Sequence, residues 1–166
     1  MISDTQLSSL SAKVGVHLRD RGLQLVTAES CTGGWIGKVL TDIPGSSAWY
    51  AGGVVSYSNA LKQSLIGVRA QTLAAQGAVS EATAREMAAG ALTSLGGHVA
   101  IAVTGIAGPD GGQPSKPVGT VWFAWASRRA EGIALQVAHE LLSGDRDAIR
   151  RAAVDRALQE ILRLEL

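Results

Sequence analysis

With 166 residues, 46% of them hydrophobic, and a formal net charge of +1, the chain has the size and composition of one domain with a sizeable core. It lacks the clustered basic charge of a nucleic-acid binder. Its single cysteine, Cys31, excludes an intrachain disulfide and fits a reducing cytoplasm. The opening residues show no basic segment followed by an apolar one, and no apolar run approaches the roughly 20 residues of a membrane span. A cytoplasmic protein engaging neither membrane nor nucleic acid is expected.

In chain order, residues 3–22 place Leu7, Leu10, Val14 and Leu18 at intervals of three and four, which predicts an amphipathic helix stopped by Gly22. Residues 23–28 read as an apolar strand, and 33–41 as a helix broken by Pro44-Gly45. Residues 50–57 read as a strand in which Gly52 and Gly53 mark a bulge or a close backbone approach. A short helix over 59–66 precedes a longer one that starts at Ser80, its N-cap, and ends at Gly96-Gly97. Residues 99–103, Val-Ala-Ile-Ala-Val, are continuously apolar between glycine-rich turns and predict the central strand. Residues 105–117 carry four glycines and three prolines and predict a loop. Strands over 118–126 and 133–142 form a hairpin around 127–132, and a last helix spans 145–164. Strands alternating with helices and ending in a hairpin predict an α/β fold, a single-domain, three-layer α/β/α sandwich around a mixed, largely parallel sheet.

The chemistry concentrates where the strand over 23–28 meets Thr27-Ala28-Glu29-Ser30-Cys31-Thr32-Gly33-Gly34. A hydroxyl there lies beside unpaired backbone N–H groups, an environment that serves either a serine nucleophile or a helix N-cap. Either Ser30 or Thr32 is a candidate for that cap, and Glu29 reads as a structural hydrogen-bonding partner. Cys31 stands as a rival thiol nucleophile. His17, His98 and His139 lie within predicted elements or beside a core strand, which disfavours a histidine triad. Lys62, in Tyr57-Ser58-Asn59-Ala60-Leu61-Lys62, is the alternative base, provided it is held neutral, and the alternative to that is a solvated helix lysine. Tyr57 is close enough in sequence to orient its amine or shuttle a proton.

Thr104-Gly105-Ile106-Ala107-Gly108-Pro109 follows the predicted central strand, where ligands of open α/β sheets gather, and reads as either a ligand-lining segment or an ordinary turn. Arg146 opens the last helix, where the dipole disfavours a cation. It points either to an external anion such as phosphate or to neutralisation by Asp145 and Asp147. No group of His, Cys, Asp and Glu has metal-ligand spacing.

The segments 27–34, 57–62 and 104–109 together, with Val118-Gly119-Thr120-Val121 and Gly144-Asp145-Arg146, resemble the C-terminal domain of the competence/damage-inducible protein CinA. The resemblance covers nearly the whole chain and points to the stand-alone nicotinamide-nucleotide amidases of that family. It implies a homodimeric enzyme of pyridine-nucleotide salvage that converts nicotinamide mononucleotide, a small-molecule nucleotide substrate, to nicotinate mononucleotide and ammonia without cofactor or metal. By motif match Ser30 is the nucleophile and Lys62 its base, with Tyr57 adjoining. Residue type and position assign Cys31, Thr32, Gly33, Gly34, Thr104, Gly105, Gly108 and Arg146 to substrate binding. Two other readings are a hydrolase of another small amide and a non-catalytic nucleotide-binding or regulatory module.

Overall fold

A computed structural model describes residues 2–166. The elements are α1 (Asp4–Arg19), β1 (Leu25–Glu29), α2 (Trp35–Thr41), β2 (Tyr50–Val55), α3 (Asn59–Ile66), α4 (Ala70–Gln76), α5 (Glu81–Leu95), β3 (Val99–Gly105), β4 (Thr120–Arg129), β5 (Gly132–Leu141) and α6 (Arg146–Ile161). The five strands form one sheet in the order β2-β1-β3-β4-β5. β1 pairs parallel with β2 and β3, β4 runs antiparallel to both its neighbours, and so only β4 opposes the common direction. This is the expected mixed α/β sheet, with 99–103 at its centre.

Side-chain size divides the two faces. Leu25, Val99, Ile101, Val103, Val121, Phe123 and Trp125 point to the side covered by α1, α2 and α6. Val26, Ala28, Ala100, Ala102, Ala124 and Ala126 point to the other, where Ala84, Met87, Ala88, Ala91 and Leu92 of α5 pack with Ile66 and Leu73. Alanine on both sheet and helix lets α5 approach closely. On the opposite face the Trp125 indole donates to the Ala157 carbonyl at 2.9 Å and ties α6 to the sheet.

The boundaries move where backbone conformation or a distant partner overrides the local pattern. α2 starts at Trp35 because Gly33 and Gly34 both have positive φ, which a helix interior does not allow. Gly119, at φ +94°, delays β4 to Thr120, and β4 then continues through Ser127-Arg128-Arg129, leaving only Ala130 and Glu131 as the hairpin turn. Arg128 is held there by donation to the carbonyls of Gly97 and Leu92. The sequence pattern passes over α4, a seven-residue helix that buries only Thr72 and Leu73. Among the described residues no helix is long and apolar enough to cross a membrane.

The parallel strands carry the site. Glu29 is in register with Val55 and with Val103, so Ser30 and Ser56, which leave the sheet, lie beside Thr104, still paired within β3, at the carboxyl ends of β1, β2 and β3. α3, which returns from β2, is fixed against α5 at Gly90, where a Cβ would lie 1.7 Å from the Ile66 carbonyl oxygen. Helix propensity alone would make Gly90→Ala stabilising by about 1 kcal/mol. The backbone clash should win, with a net loss of about 1–3 kcal/mol in urea unfolding, and a variant more stable than wild type would show that the two helices are not in this contact.

Candidate active site

Ser30 follows the last residue of β1, and its N–H donates to the Val103 carbonyl at 3.0 Å, anchoring the turn to the central strand. The turn then bends through Gly33, whose N–H returns to the Ser30 carbonyl at 3.0 Å. Neither Ser30 nor Thr32 caps α2. The Glu29 carboxylate does, accepting from the N–H groups of Ile36 at 3.0 Å and Gly37 at 2.8 Å. The capping expectation for Thr32 is therefore corrected: its buried Oγ1 has no hydrogen-bond partner among the described residues. Having Glu29 as the cap leaves the Ser30 hydroxyl free of helix duty.

Lys62 occupies the first turn of α3, a helix capped by Ser58, and is only 1% exposed. Its Nζ lies 3.0 Å from Ser30 Oγ, 2.7 Å from the Ser56 carbonyl and 3.3 Å from the Tyr57 carbonyl. Burial pushes its pKa below the usual lysine value, opposed by a smaller effect from Cys31. A neutral amine has two N–H bonds and one lone pair. As an ammonium Lys62 donates to Ser30 Oγ; in the neutral form, with its two N–H groups given to the carbonyls, the lone pair would face Ser30 Oγ and could receive its proton. The solvated-lysine alternative does not describe this side chain.

Cys31, beside Ser30, is buried, and burial pushes its thiol up to about 12. It is therefore a thiol rather than a thiolate at neutral pH, unsuited to nucleophilic attack. None of the three histidines lines the cavity at Ser30. His98 accepts from the Gln24 N–H, and His139 packs against Trp122.

The cavity at Ser30 and Lys62 has a volume of about 210 Å³, and Cys31, Tyr57, Thr104, Gly105 and Arg146 contribute to its wall. Tyr57 acts on Lys62 through its backbone carbonyl. Its exposed phenol instead receives a hydrogen bond from Arg146 Nη2 at 3.3 Å. Arg146 Nη1 donates to the Gly108 carbonyl at 2.6 Å. Asp145 caps α6 through the Ala148 N–H, and Asp147 pairs with Arg151, so neither neutralises Arg146. Thr104 directs its hydroxyl to the Ala78 carbonyl at 2.8 Å, which holds the segment before α5 against the cavity.

Other residues assigned to substrate binding lie elsewhere. Gly33 and Gly34 line a separate depression with Trp35, Arg150 and Arg151, because their positive φ turns the chain away from Ser30. Thr32, fully buried, is outside the cavity wall, and Gly108 meets the site only through its carbonyl to Arg146.

Comparison with known proteins agrees with this architecture. The sequence matches the CinA C-terminal domain across residues 7–164. The chain belongs to the CinA C-terminal domain family. It is 55% identical over 160 residues to the nicotinamide-nucleotide amidohydrolase PncC of Escherichia coli K12, covering 96% of this chain and 95% of that protein. It is 50% identical to the PncC of Enterobacter agglomerans, covering 98% and 97%. Among solved structures, the competence/damage inducible protein CihA of Agrobacterium tumefaciens superposes with a TM-score of 0.89 at 41% identity, covering 100% of this chain and 98% of that one.

Two elements of this CinA-family site escape a reading of the sequence: the Ser56 carbonyl and Arg150. The first is a backbone atom with no residue signature. The second, one helical turn beyond Arg146, donates from Nε to the Cys31 carbonyl at 3.1 Å and from Nη2 to the Thr32 carbonyl at 2.9 Å. Its spacing of four from Arg146 was the available signal.

The depressed Lys62 pKa has a consequence for folding. Between its folded value and its ordinary 10.5, the unfolded chain binds the extra proton, so stability due to this group rises with pH. Urea unfolding at several pH values should show wild type gaining stability relative to Lys62→Met as pH rises toward 10.5. A difference independent of pH would mean that Lys62 is not held below its ordinary value.

Proposed function

We propose that the chain is an amidase that converts nicotinamide mononucleotide to nicotinate mononucleotide and ammonia through a Ser30-Lys62 dyad and an acyl-enzyme. The observation that carries this reading is the 3.0 Å contact between a buried Lys62 Nζ and Ser30 Oγ. The names of the PncC relatives supply the substrate.

Neutral Lys62 takes the Ser30 proton as Oγ attacks the carboxamide carbon. The tetrahedral oxyanion forms beside the N–H group of Cys31, which belongs to the cavity wall and donates to no backbone oxygen among the described residues. Protonated Lys62 then gives its proton to the departing ammonia, leaving an acyl ester on Ser30. Water attacks this ester with Lys62 again as base, and the ester breaks to release the carboxylate and restore the Ser30 hydroxyl. The cavity is smaller than the 300–1,000 Å³ usual for ligand sites. It suits the pyridine carboxamide, with ribose and phosphate at the mouth. There Arg146, without a carboxylate partner, is suited to the phosphate. We assign the reaction to cytoplasmic pyridine-nucleotide salvage and the enzyme to a homodimer, on the family resemblance.

Ammonia release from nicotinamide mononucleotide should fall by about a thousandfold or more in Ser30→Ala and in Lys62→Ala, with Cys31→Ala close to wild type. Full turnover in Ser30→Ala would overturn the dyad, and binding without turnover in wild type would favour a regulatory module. Arg146→Ala should raise KM for the nucleotide by about tenfold or more and leave the riboside, which has no phosphate, unchanged. Equal weakening toward both would remove Arg146 as the phosphate anchor.

A further inference from the structure

Ser30 and Thr104 occupy neighbouring positions at the ends of two parallel strands. The Ser30 N–H donates to the Val103 carbonyl at 3.0 Å, which carries the β1–β3 pairing one step past Glu29 and Val103 and sets Ser30 opposite Thr104. Side chains alternate between faces along a strand. Ala28 and Ala102 point to the α5 face, and Ser30 and Thr104, two residues further on, point there too. Their contacts agree: Ser30 Oγ meets Lys62 of α3, and Thr104 Oγ1 meets the Ala78 carbonyl just before α5. In-register neighbours on adjacent strands stand about 5 Å apart, and both residues line the same cavity. Lys62 comes to Ser30 from the β2 side, held by the carbonyls of Ser56 and Tyr57, so Thr104 flanks the serine on the opposite side, that of β3.

A threonine hydroxyl carries one proton and two lone pairs. Thr104 is 1% exposed and donates that proton to the Ala78 carbonyl at 2.8 Å. A group that meets this oxygen from the cavity therefore finds lone pairs and no proton. The carboxamide nitrogen offers two N–H bonds to such an acceptor, whereas a carboxylate offers only lone pairs. That nitrogen is one bond from the carbon that Ser30 attacks, so with the substrate at Ser30 it comes within reach of the neighbouring strand. Giving one N–H to Thr104 turns the nitrogen lone pair of the tetrahedral intermediate toward the Lys62 side. Lys62 returns there the proton taken from Ser30, the C–N bonding pair leaves with nitrogen, and ammonia departs with its own two hydrogens and that third one.

We propose that Thr104 is a specificity-determining residue for the amide: its oxygen accepts an N–H of the substrate carboxamide and repels the carboxylate of the product. The inference rests on Ser30 attacking a carboxamide. A site built to receive an N–H selects against a ligand without one, because the acceptor is then left unpaired. The same preference lets the acid leave once it has formed.

The test compares wild type, in the full chain, with Thr104→Val, which keeps the shape without the oxygen, and Thr104→Ser, which keeps the hydroxyl. It measures kcat/KM for nicotinamide mononucleotide by ammonia release and the calorimetric Kd for nicotinate mononucleotide. Thr104→Val should lose about 10–100-fold in kcat/KM while binding the carboxylate at least as tightly as wild type. Thr104→Ser should stay within about fivefold of wild type in both. A merely structural threonine would give another pattern, since loss of the Ala78 contact would weaken amide and acid together. The proposal is overturned by undiminished kcat/KM in Thr104→Val, by a Kd for the acid that rises along with the loss of turnover, or by a Thr104→Ser as impaired as Thr104→Val. Failure of Thr104→Val to fold also overturns it, since the side chain would then be a determinant of the fold. A Ser30→Ala control separates the two claims: ammonia release by that variant, or none by wild type, sinks the serine amidase reading, whereas an inactive Ser30→Ala beside an undiminished Thr104→Val sinks only the role of Thr104.

Discussion

A lysine amine buried among two carbonyl oxygens and one hydroxyl is the contact on which the rest of the site depends. Water would solvate such a group as an ammonium, and burial weakens that preference, pushing the pKa down. The carbonyls of Ser56 and Tyr57 satisfy its N–H groups without supplying the negative charge that would hold it protonated. The same two contacts aim the remaining valence at Ser30. Ser30 follows β1 whereas Ser56 and Tyr57 both follow β2, so the contact exists only when β1 and β2 lie parallel and in register.

The layers on the two sides of the sheet do different work. α3, held by α5 on the alanine-rich face, brings Lys62. α6, anchored through Trp125 on the large-residue face, brings two arginines one turn apart. Arg146 lines the cavity at Ser30, and Arg150 faces the carbonyls of Cys31 and Thr32. Glu29 ends β1 and caps α2, so the Ser30 turn is tied down on both sides without using the serine hydroxyl.

Features that lie within one short segment were legible in the sequence. The apolar run at 99–103 marked the central strand, Ser80 marked the start of α5, and the glycines after Ser30 marked a turn. The sequence also made Lys62 a candidate base, although its protonation depends on burial by residues far along the chain. Thr32 was misread as a cap because spacing cannot reveal a carboxylate arriving from the preceding strand. Gly33 and Gly34 were grouped with the cavity because adjacency in sequence ignores the direction in which positive φ turns the backbone. Arg150 was missed because its partners are carbonyls 118 and 119 residues away.

The protonation of Lys62 is the most direct test of the central claim. Nuclear magnetic resonance titration of lysine labelled with 13C at Cε, assigned through Lys62→Met, reads it without turnover. The expected result is a Lys62 titration below its ordinary 10.5, coinciding with the rise of kcat/KM with pH. A Lys62 that titrates at or above that ordinary value, or activity that rises independently of its titration, would contradict its role as the base for Ser30.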